Sequence, residues 1–381
     1  CEGGVMIDLS PMRALRVDPA ARTVRAEPGV LLGELDHETQ EFGLIVPAGI
    51  VSHTGLAGLT LGGGFGWLSR TFGLSIDHVL SVDVVTAEGR LITADAERHA
   101  DLFWGVRGGG GNFGIVTSFE FSLERLGPTV LAGMVYFPAE EAHEVLHRYR
   151  TYADQAPEEV TTIVSLRLAP AAAFLPEHMH GKKVVGVGAC YTGDPEEGEA
   201  VIAPLRRLGT PLADLIEPKP FVVHQKTFDL TVPHFNRYFW KSHYLPPLSD
   251  GAIDSMIQYS WRAPSPLSYT IVFQVGGAVS RIGEADTAYG NRDARHVINI
   301  NSNWTDRGAD ADNVAWAQEY FAALEPFSTG GVYVNFLGEE GEERIRAAYG
   351  KQKYERLAAL KNTYDPMNFF RLNQNIKPTA G

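Results

Sequence analysis

Residues 47–67 read PAGIVSHTGLAGLTLGGGFGW, and glycine recurs in them at short intervals. We call this stretch the first glycine run. Many of its backbone N–H groups are not covered by side chains, and such groups suit an extended anionic ligand such as a pyrophosphate. The run lacks the Gly-Lys-Ser/Thr ending of a P-loop, so it does not predict a nucleoside triphosphate site. A buried glycine-rich strand, where two backbones approach closely, is the alternative interpretation.

A second glycine cluster, GGGGNFG at residues 108–114, contains a literal G-x-G-x-x-G, and we call it the second glycine loop. In a dinucleotide-binding unit of the Rossmann type, that motif follows a strand and opens a helix. Here a helical segment at residues 100–106 precedes the loop, and an alternating strand pattern from Ile115 follows it. Because this order is inverted, the sequence argues against Rossmann-type dinucleotide binding.

The rest of the chain predicts two regions of different character, which meet at Gly127-Pro128. Predicted strands are 5–9, 15–17, 23–26, 82–85, 90–93, 115–123, 130–136, 160–168, 183–191 and 268–274. Predicted helices are 31–42, 100–106, 139–153, 198–208, 309–321, 342–349 and 351–362. The alternation of long strands and helices beyond Gly127 predicts an antiparallel sheet with helices, so the fold class is α+β.

The composition argues against several classes of partner. The chain has 33 Lys and Arg against 46 Asp and Glu, a net charge of −13, so it lacks the basic footprint that nucleic acid or an acidic membrane requires. No apolar run approaches the ~18 residues of a membrane span. The two cysteines, Cys1 and Cys190, form no CxxC, which argues against a disulfide framework or a zinc site. Compartment and oligomeric state are not predicted.

Histidine and aromatic patterns give weaker indications. His178-x-His180 has no third histidine or carboxylate at ligand spacing, so we interpret it as a solvated loop and expect no metal. The stretch HFNRYFWKSHY, residues 234–244, is dense in rings with polar tips and is typical of an aromatic substrate pocket. A helix or strand packed against the sheet is an equally good interpretation of that stretch.

Six segments in this order resemble the berberine-bridge-enzyme-like flavoprotein oxidases, within the p-cresol methylhydroxylase/vanillyl-alcohol oxidase group of FAD-binding proteins. They are EPGV (27–30), SHTG (52–55), GGGFGW (62–67), DLFWGVRGGG (101–110), YVNF (333–336) and DPMNFF (365–370). The resemblance implies a two-domain FAD-linked oxidase fold whose FAD domain is split in sequence around a substrate domain. The expected parts are an FAD-binding domain over 1–126, an antiparallel-sheet substrate domain over 127–331, and a segment over 332–381 that returns to the FAD domain.

The same resemblance implies which residues contact FAD, mainly through backbone groups of the two glycine segments. The expected contacts are Gly49, Ile50, Val51, Ser52, His53, Thr54, Gly55, Gly58, Leu59, Gly62, Gly63, Gly64, Gly66, Trp67, Gly114, Ile115, Val116, Tyr333 and Asn335.

Two positions depart from the family's pattern. Members usually tether FAD through a histidine of an Arg-x-Gly-Gly-His segment, which would fall upstream of Cys1, and many add a cysteine where this chain has Val51. We therefore expect a chain that lacks the family's N-terminal segment and binds FAD without a covalent bond. Many plant members also carry Tyr-x-Asn-Tyr, whose last tyrosine acts as a base; Phe336 stands there in this chain. With the base unassigned, the candidates for orienting substrate are Tyr333, Gln274, Tyr238 and His243.

The predicted function is oxidation of a small molecule, such as a sugar, an alcohol or a secondary metabolite. Hydride would pass from a C–H bond beside oxygen or nitrogen to flavin N5, and O2 would accept the electrons, giving H2O2. Two alternatives stay open: an NAD(P)H-dependent flavin reductase of the same superfamily, and a non-catalytic small-molecule binding protein. The substrate itself is not predicted, because fold does not determine function.

Overall fold

The computed structural model describes residues 3–338, 341–372 and 374–379. Its strands are β1 (Leu15–Asp18), β2 (Thr23–Ala26), β3 (Leu44–Ile45), β4 (Val79–Val85), β5 (Leu91–Asp95), β6 (Ile115–Ser122), β7 (Glu124–Arg125), β8 (Thr129–Pro138), β9 (Val160–Leu168), β10 (Lys183–Tyr191), β11 (Ala213–Asp214), β12 (Glu217–Pro220), β13 (Arg237–Leu245), β14 (Tyr269–Gln274) and β15 (His296–Trp304). Its α-helices are α1 (Leu32–Gln40), α2 (Leu56–Leu61), α3 (Ser69–Phe72), α4 (Ala100–Val106), α5 (Ala142–Gln155), α6 (Pro195–Ile202), α7 (Phe221–His224), α8 (Asp250–Ser260), α9 (Ala278–Arg281), α10 (Asp310–Leu324), α11 (Glu342–Tyr349) and α12 (Lys351–Tyr364).

The first sheet is antiparallel and has the strand order β1-β2-β6-β4-β5. Its first hairpin forms as the sequence predicts, because the Asp18 carboxylate accepts hydrogen bonds from the N–H groups of Ala20 and Ala21 and closes the turn. Alternate residues of the strands are buried in one apolar cluster, which also contains residues of α4 and α12. The end of the chain therefore packs against the sheet formed at its beginning.

The second sheet has the order β11-β8-β10-β9-β14-β15-β13, and β12 also pairs with β8. Its neighbouring strands are antiparallel, and period-2 alternation gives the sheet two different faces. Val272 of β14 belongs to a cluster with residues of α5, α8 and α10, so it marks the helix-covered face. Ile271 and Phe273 belong to a different cluster, with Phe65 and Trp67 of the first glycine run. This second face, which we call the inner face, meets the region formed by the start of the chain.

Lys361 of α12 fixes the C-terminal segment to the second glycine loop. Its side chain is fully buried, and its Nζ donates to Asp365 Oδ2 at 2.6 Å, Phe370 O at 2.7 Å and Asn112 O at 2.8 Å. The Asn112 side chain in turn accepts a hydrogen bond from the N–H of Ile376 at 2.9 Å. Lys361, Phe370 and Ile376 are thus fixed to the loop around a buried charge.

Most predicted elements are confirmed, with two exceptions. The strands predicted at 160–168 and 183–191 have those bounds in the structure, and both C-terminal helices form. The strand predicted at 5–9 is wrong, since that segment is largely exposed and pairs with no strand of the described chain. The helix predicted from 198 starts earlier, at Pro195, because the Asp194 side chain caps it and proline suits the first turn. The α+β class is confirmed, while the domain boundaries stay a prediction.

Candidate active site

A cavity of about 650 Å³ lies between the first glycine run and the inner face of the second sheet. This volume lies within the range of roughly 300–1,000 Å³ that ligand pockets usually have. Both glycine segments contribute to its wall, as do β13, β14 and β15 and the single helical turn at residues 334–336. Within the described residues, the lining contains no Asp, Glu, Lys, Arg or His. The cavity is therefore polar only through neutral side chains and backbone groups.

Some glycines of the two segments face open space. A Cβ atom at Gly55, Gly58 or Gly111 would meet nothing within 4 Å, and all three residues line the cavity. Protein packing therefore does not require glycine at these positions. What they provide is backbone that a ligand can approach closely, as an extended anionic group needs.

Other glycines of the first run are required by the protein itself. A Cβ at Gly62 would overlap the Asn335 side chain, and one at Gly66 would overlap the Ala48 carbonyl oxygen. Gly64 also has a φ of 80°, which side chains rarely adopt. Together with Gly63, these residues stand outside the cavity lining. A glycine-rich motif thus combines two different requirements, one for the ligand and one for the fold.

Residues 114–116 also lie away from the cavity. Gly114 precedes β6, where its hypothetical Cβ would approach Val84 Cγ1 at 2.5 Å, and Val116 is buried in the core of the first sheet. Ile115 is paired with Val85 in the sheet. Their contact with the nucleotide end of FAD stays a prediction.

The SHTG segment is divided between the cavity and a neighbouring loop. Val51 and Thr54 line the cavity, together with Gly49, Ile50 and Leu59. Ser52 instead donates to the Asp229 carboxylate through its backbone N–H, at 2.8 Å, and through its hydroxyl, at 2.5 Å. His53 Nε2 lies 3.4 Å from the Asp229 carbonyl oxygen. Ser52 and His53 therefore hold the first glycine run against the 229–234 loop.

Tyr333 and Asn335 lie where the two sides of the cavity meet. The Tyr333 hydroxyl oxygen accepts hydrogen bonds from the Gly64 N–H at 3.0 Å and from Asn335 Nδ2 at 2.9 Å. Burial raises the pKa of Tyr333 to about 12, although both of these hydrogen bonds lower it. Its hydroxyl is therefore protonated at neutral pH. Because its oxygen already accepts two hydrogen bonds, its own proton is free to be donated.

Two of the predicted substrate-orienting residues face away from the cavity. Gln274 projects to the helix-covered face, where its amide accepts from Thr162 Oγ1 and donates to Ala153 O, both at 2.7 Å. His243 stacks on Phe321 of α10 at 4.0 Å between ring centres. Neither side chain can reach a ligand in the cavity, so both candidates are corrected. Side chains alternate between the two faces of a strand, so the residues next to Gln274 in β14 and next to His243 in β13 project to the inner face, while Gln274 and His243 do not.

Tyr238 shares the inner face with Trp240 but does not line the cavity. Its hydroxyl donates to Pro233 O at 2.5 Å, and its ring meets that of Trp240 at 5.9 Å, edge to face. From Arg237 onward the aromatic stretch forms β13, which supplies one cavity residue, Trp240. Of the four candidates, only Tyr333 lines the cavity.

Several polar residues of the cavity wall are not among those that the sequence predicts. Tyr269 of β14 and Asn299 and Asn301 of β15 all project from the inner face into the cavity. The available signal was the alternation of polar and apolar residues in NINSNW, residues 299–304 and their neighbours. That pattern ordinarily indicates an exposed face, and only the sheet order shows that this face is buried.

Trp67 was expected to contact the cofactor but is packed behind the cavity. It is 1% exposed and contacts His224 of α7, with ring centres 4.3 Å apart and ring planes tilted by 49°. Nε2 of His224 has no hydrogen-bond partner among the described residues. Burial lowers the pKa of His224 to about 3, with a smaller contribution from nearby Lys219. The imidazole is therefore neutral in the folded protein.

This neutral histidine predicts a loss of stability in mild acid. Its folded pKa lies below its unfolded value of about 6.5, so the unfolded chain takes up the proton first. The contribution of the neutral His224 to the free energy of unfolding is therefore fully present above about pH 6.5, and it is lost as the pH drops toward 3. Between pH 7.5 and 5, wild type is expected to lose about 2 kcal/mol more unfolding free energy than His224→Phe does, by linkage. Urea unfolding of both proteins at each pH measures this difference, and parallel pH profiles would contradict the prediction.

Comparison with known proteins identifies the family. A family profile described as FAD binding domain matches residues 1–95, and one described as berberine and berberine like matches residues 332–377. An FAD-linked oxidoreductase of Dictyostelium discoideum is 32% identical over 383 residues, covering 99% of this chain and 80% of that protein. The chain belongs to the berberine-bridge-like FAD-linked oxidoreductases.

Solved structures of this family share the fold. A berberine-bridge-like protein of Physcomitrella patens superposes with a TM-score of 0.85 at 23% identity, covering 96% of this chain and 80% of that one. The 6-hydroxy-D-nicotine oxidase of Arthrobacter nicotinovorans gives a TM-score of 0.84 at 25% identity, and the match covers 98% of this chain and 83% of that one. The two-domain FAD oxidase fold implied by the resemblance is therefore confirmed.

FAD is the cofactor of this berberine-bridge-like oxidoreductase, and the cavity suits it. The open backbone at Gly55, Gly58 and Gly111 gives an extended phosphate-bearing group close access to N–H donors. The described residues include no group of three or more His, Cys, Asp or Glu placed to hold a metal ion. Within the same residues, no helix is both long and apolar enough to cross a bilayer.

Proposed function

We propose that this oxidoreductase is an oxidase that takes hydride from a C–H bond beside an oxygen or nitrogen of a small molecule and delivers the electrons to O2, giving H2O2. FAD, when bound, supplies the redox chemistry of both half-reactions. The observation that carries the proposal is the cavity, which has open glycine backbone on one side and an aromatic sheet face on the other. The 6-hydroxy-D-nicotine oxidase, a structure of the same fold, supports the choice of an oxidase.

The residues that we propose hold the cofactor lie in the two glycine segments and line the cavity. They are Gly49, Ile50, Val51, Thr54, Gly55, Gly58, Leu59, Gly110, Gly111 and Asn112. Val51 has an aliphatic side chain that forms no bond to a flavin, so we propose that this position gives no covalent attachment. Gly62, Gly64 and Gly66 support the run from behind through their packing.

Tyr333 is the residue that we propose to orient the reacting group. Its hydroxyl is protonated and fixed by the Gly64 N–H and Asn335 Nδ2, so it donates a hydrogen bond and does not remove a proton. Phe336 meets the Tyr333 ring edge to face at 4.9 Å and contributes only apolar surface. With no carboxylate or imidazole in the described lining, the substrate's O–H or N–H proton passes to water.

An absorption spectrum and an oxygen electrode test this proposal together. The purified chain supplied with FAD is expected to show a flavin spectrum, and acid precipitation is expected to release the flavin into the supernatant. Turnover of an accepted substrate is expected to consume O2 and form H2O2 in equal amounts. Rapid bleaching by NADPH without such a substrate would instead identify a reductase. A chain that stays colourless with FAD would identify a non-catalytic binding protein.

A further inference from the structure

Arg167 projects from β9 onto the inner face of the second sheet without an acidic partner. It stands directly opposite Val184 of β10, and both Val184 and Ile163 of β9 belong to the apolar cluster of the inner face. The side chain of Arg167 is half-buried. Within the described residues, its guanidinium forms no hydrogen bond and no ion pair, and Nε is buried without an acceptor. Nη1 and Nη2 are not enclosed, so their positive charge is open to a ligand.

Two other arginines buried in this chain show the usual arrangement. Arg292 is 3% exposed and pairs with the Asp77 carboxylate at 2.6 Å. Arg70 is also buried, and its Nε donates to the Val160 carbonyl oxygen at 2.8 Å. Such partners matter because a cation that leaves water gives up its hydration and must receive something in exchange. Arg167 differs from both in offering a charge that no described carboxylate or carbonyl oxygen neutralises.

The charge of Arg167 acts on the part of the cavity that Tyr269 lines. The guanidinium lies 5.4 Å from the centre of the Tyr269 ring. Burial raises the pKa of Tyr269, and the Thr231 hydroxyl and the Arg167 charge lower it. Burial likewise raises the pKa of Tyr136, and Arg167 again lowers it. No carboxylate of the described chain contributes to either pKa, so the charge that acts on these two rings is positive.

A ligand in the cavity is close enough to interact with this charge without touching the guanidinium. Atoms in contact are about 3.5–4 Å apart, so a group against the cavity side of the Tyr269 ring lies within roughly 10 Å of Arg167. Protein surroundings screen charges much less than bulk water does. A negative group at this end of the cavity is therefore attracted, and a positive group is repelled.

This charge is separate from the groups that we propose bind the cofactor. The open backbone of Gly55, Gly58 and Gly111 lies in the glycine segments, whereas Arg167 and Tyr269 belong to the sheet that faces the first of them. The pyrophosphate of FAD and an acidic substrate would therefore be stabilised by different parts of the protein, the first by backbone N–H groups and the second by Arg167.

We propose that Arg167 favours a substrate that carries a carboxylate, with that carboxylate at the Tyr269 end of the cavity. This assignment rests on the proposed function, because it names the substrate class of the same cavity. The aromatic surface of Tyr269, Phe273 and Phe336 receives the apolar part of the substrate. Arg167 is thus a specificity-determining residue, and it takes no part in hydride transfer.

A charge series of one ring compound tests the proposal on the wild-type chain saturated with FAD. Benzoate, benzamide and benzylammonium share a ring and differ in charge, and ligand-observed NMR titration at pH 7.5 and low salt measures their affinities. Benzoate is expected to bind about tenfold more tightly than benzamide, and benzylammonium more weakly than either, because the nearby guanidinium has no counter-ion. Benzoate that binds no more tightly than benzamide would overturn the proposal.

Two variants and a matched control assign the preference to Arg167. Arg167→Gln is expected to bring the ratio of benzoate to benzamide affinity close to one, and Arg167→Lys, which keeps the charge, is expected to retain most of it. Arg262 is the control, since its guanidinium lies 5.3 Å from the centre of the Tyr259 ring, which packs on the helix-covered side of the sheet. Arg262→Gln is expected to leave the ratio unchanged. An unchanged ratio in Arg167→Gln, with folding verified by circular dichroism, would also overturn the proposal.

Failure of this proposal and failure of the proposed function are distinguishable. A chain without a flavin spectrum would contradict the oxidase proposal, while the ratio of the two affinities and its loss in Arg167→Gln would still report on Arg167. Substrate-dependent consumption of O2, combined with a ratio that Arg167→Gln does not change, would contradict only the substrate class.

Discussion

Lys361→Met is expected to lower the free energy of unfolding by about 3–5 kcal/mol, because it leaves a buried carboxylate without its partner. Both Lys361 and Asp365 have fully buried side chains, and their ion pair measures 2.6 Å. The substitution also removes the donor to the Asn112 and Phe370 carbonyl oxygens. Urea unfolding of wild type and variant, followed by far-ultraviolet circular dichroism, measures the loss.

A surface pair provides the matched control for this substitution. Lys377 bonds Glu342 at 2.8 Å, but its side chain is 60% exposed, so Lys377→Met is expected to leave the unfolding midpoint essentially unchanged. The double variant Lys361→Met/Asp365→Leu is expected to recover part of the lost stability, since no unpaired charge then stays buried. A loss below about 1 kcal/mol in the single variant would show that Lys361 does not fix the C-terminal segment.

The elements that sequence predicted best are those whose local pattern has only one interpretation. The long alternating or apolar strands at 160–168 and 183–191 and the C-terminal helices fall in this group, because their length and period agree. The segment at 5–9 has the same apolar character but pairs with no described strand. A strand requires a partner as well as a pattern, and only the assembled sheet supplies one.

The site was predicted less well, for two physical reasons. Period-2 alternation divides a strand into two sets of residues but does not say which set faces the ligand. In β14 it therefore does not distinguish Gln274, on the helix-covered face, from Tyr269, which faces the cavity. A glycine motif likewise does not say whether the missing side chain would have met a ligand or the protein. Gly58 and Gly62 stand four residues apart, and the structure gives them opposite surroundings.

Because Gly58 faces open space and Gly62 faces protein, we expect substitutions at these two positions to change the free energy of unfolding in opposite directions. Gly58→Leu is expected to weaken FAD binding on the order of 100-fold, or ~3 kcal/mol, because the new side chain occupies the cavity. The same change is expected to raise the unfolding free energy of the FAD-free chain by roughly 0.5–1 kcal/mol, since Gly58 lies inside α2 and leucine is the better helix former. Flavin fluorescence titration measures the first effect, and urea unfolding without FAD measures the second.

Gly62→Ala is the contrasting variant, because its Cβ would overlap the Asn335 side chain. Asn335 Nδ2 donates to Leu59 O at 3.0 Å and to the Tyr333 hydroxyl, so displacing it breaks two hydrogen bonds in the cavity wall. We expect this smaller substitution to destabilise the FAD-free chain by about 1–3 kcal/mol. If Gly58 faces the ligand, Gly58→Leu is more stable than wild type but binds FAD poorly, whereas Gly62→Ala is less stable than wild type. Only that placement of Gly58 gives this combination of results. Undiminished FAD binding in Gly58→Leu would place the cofactor elsewhere.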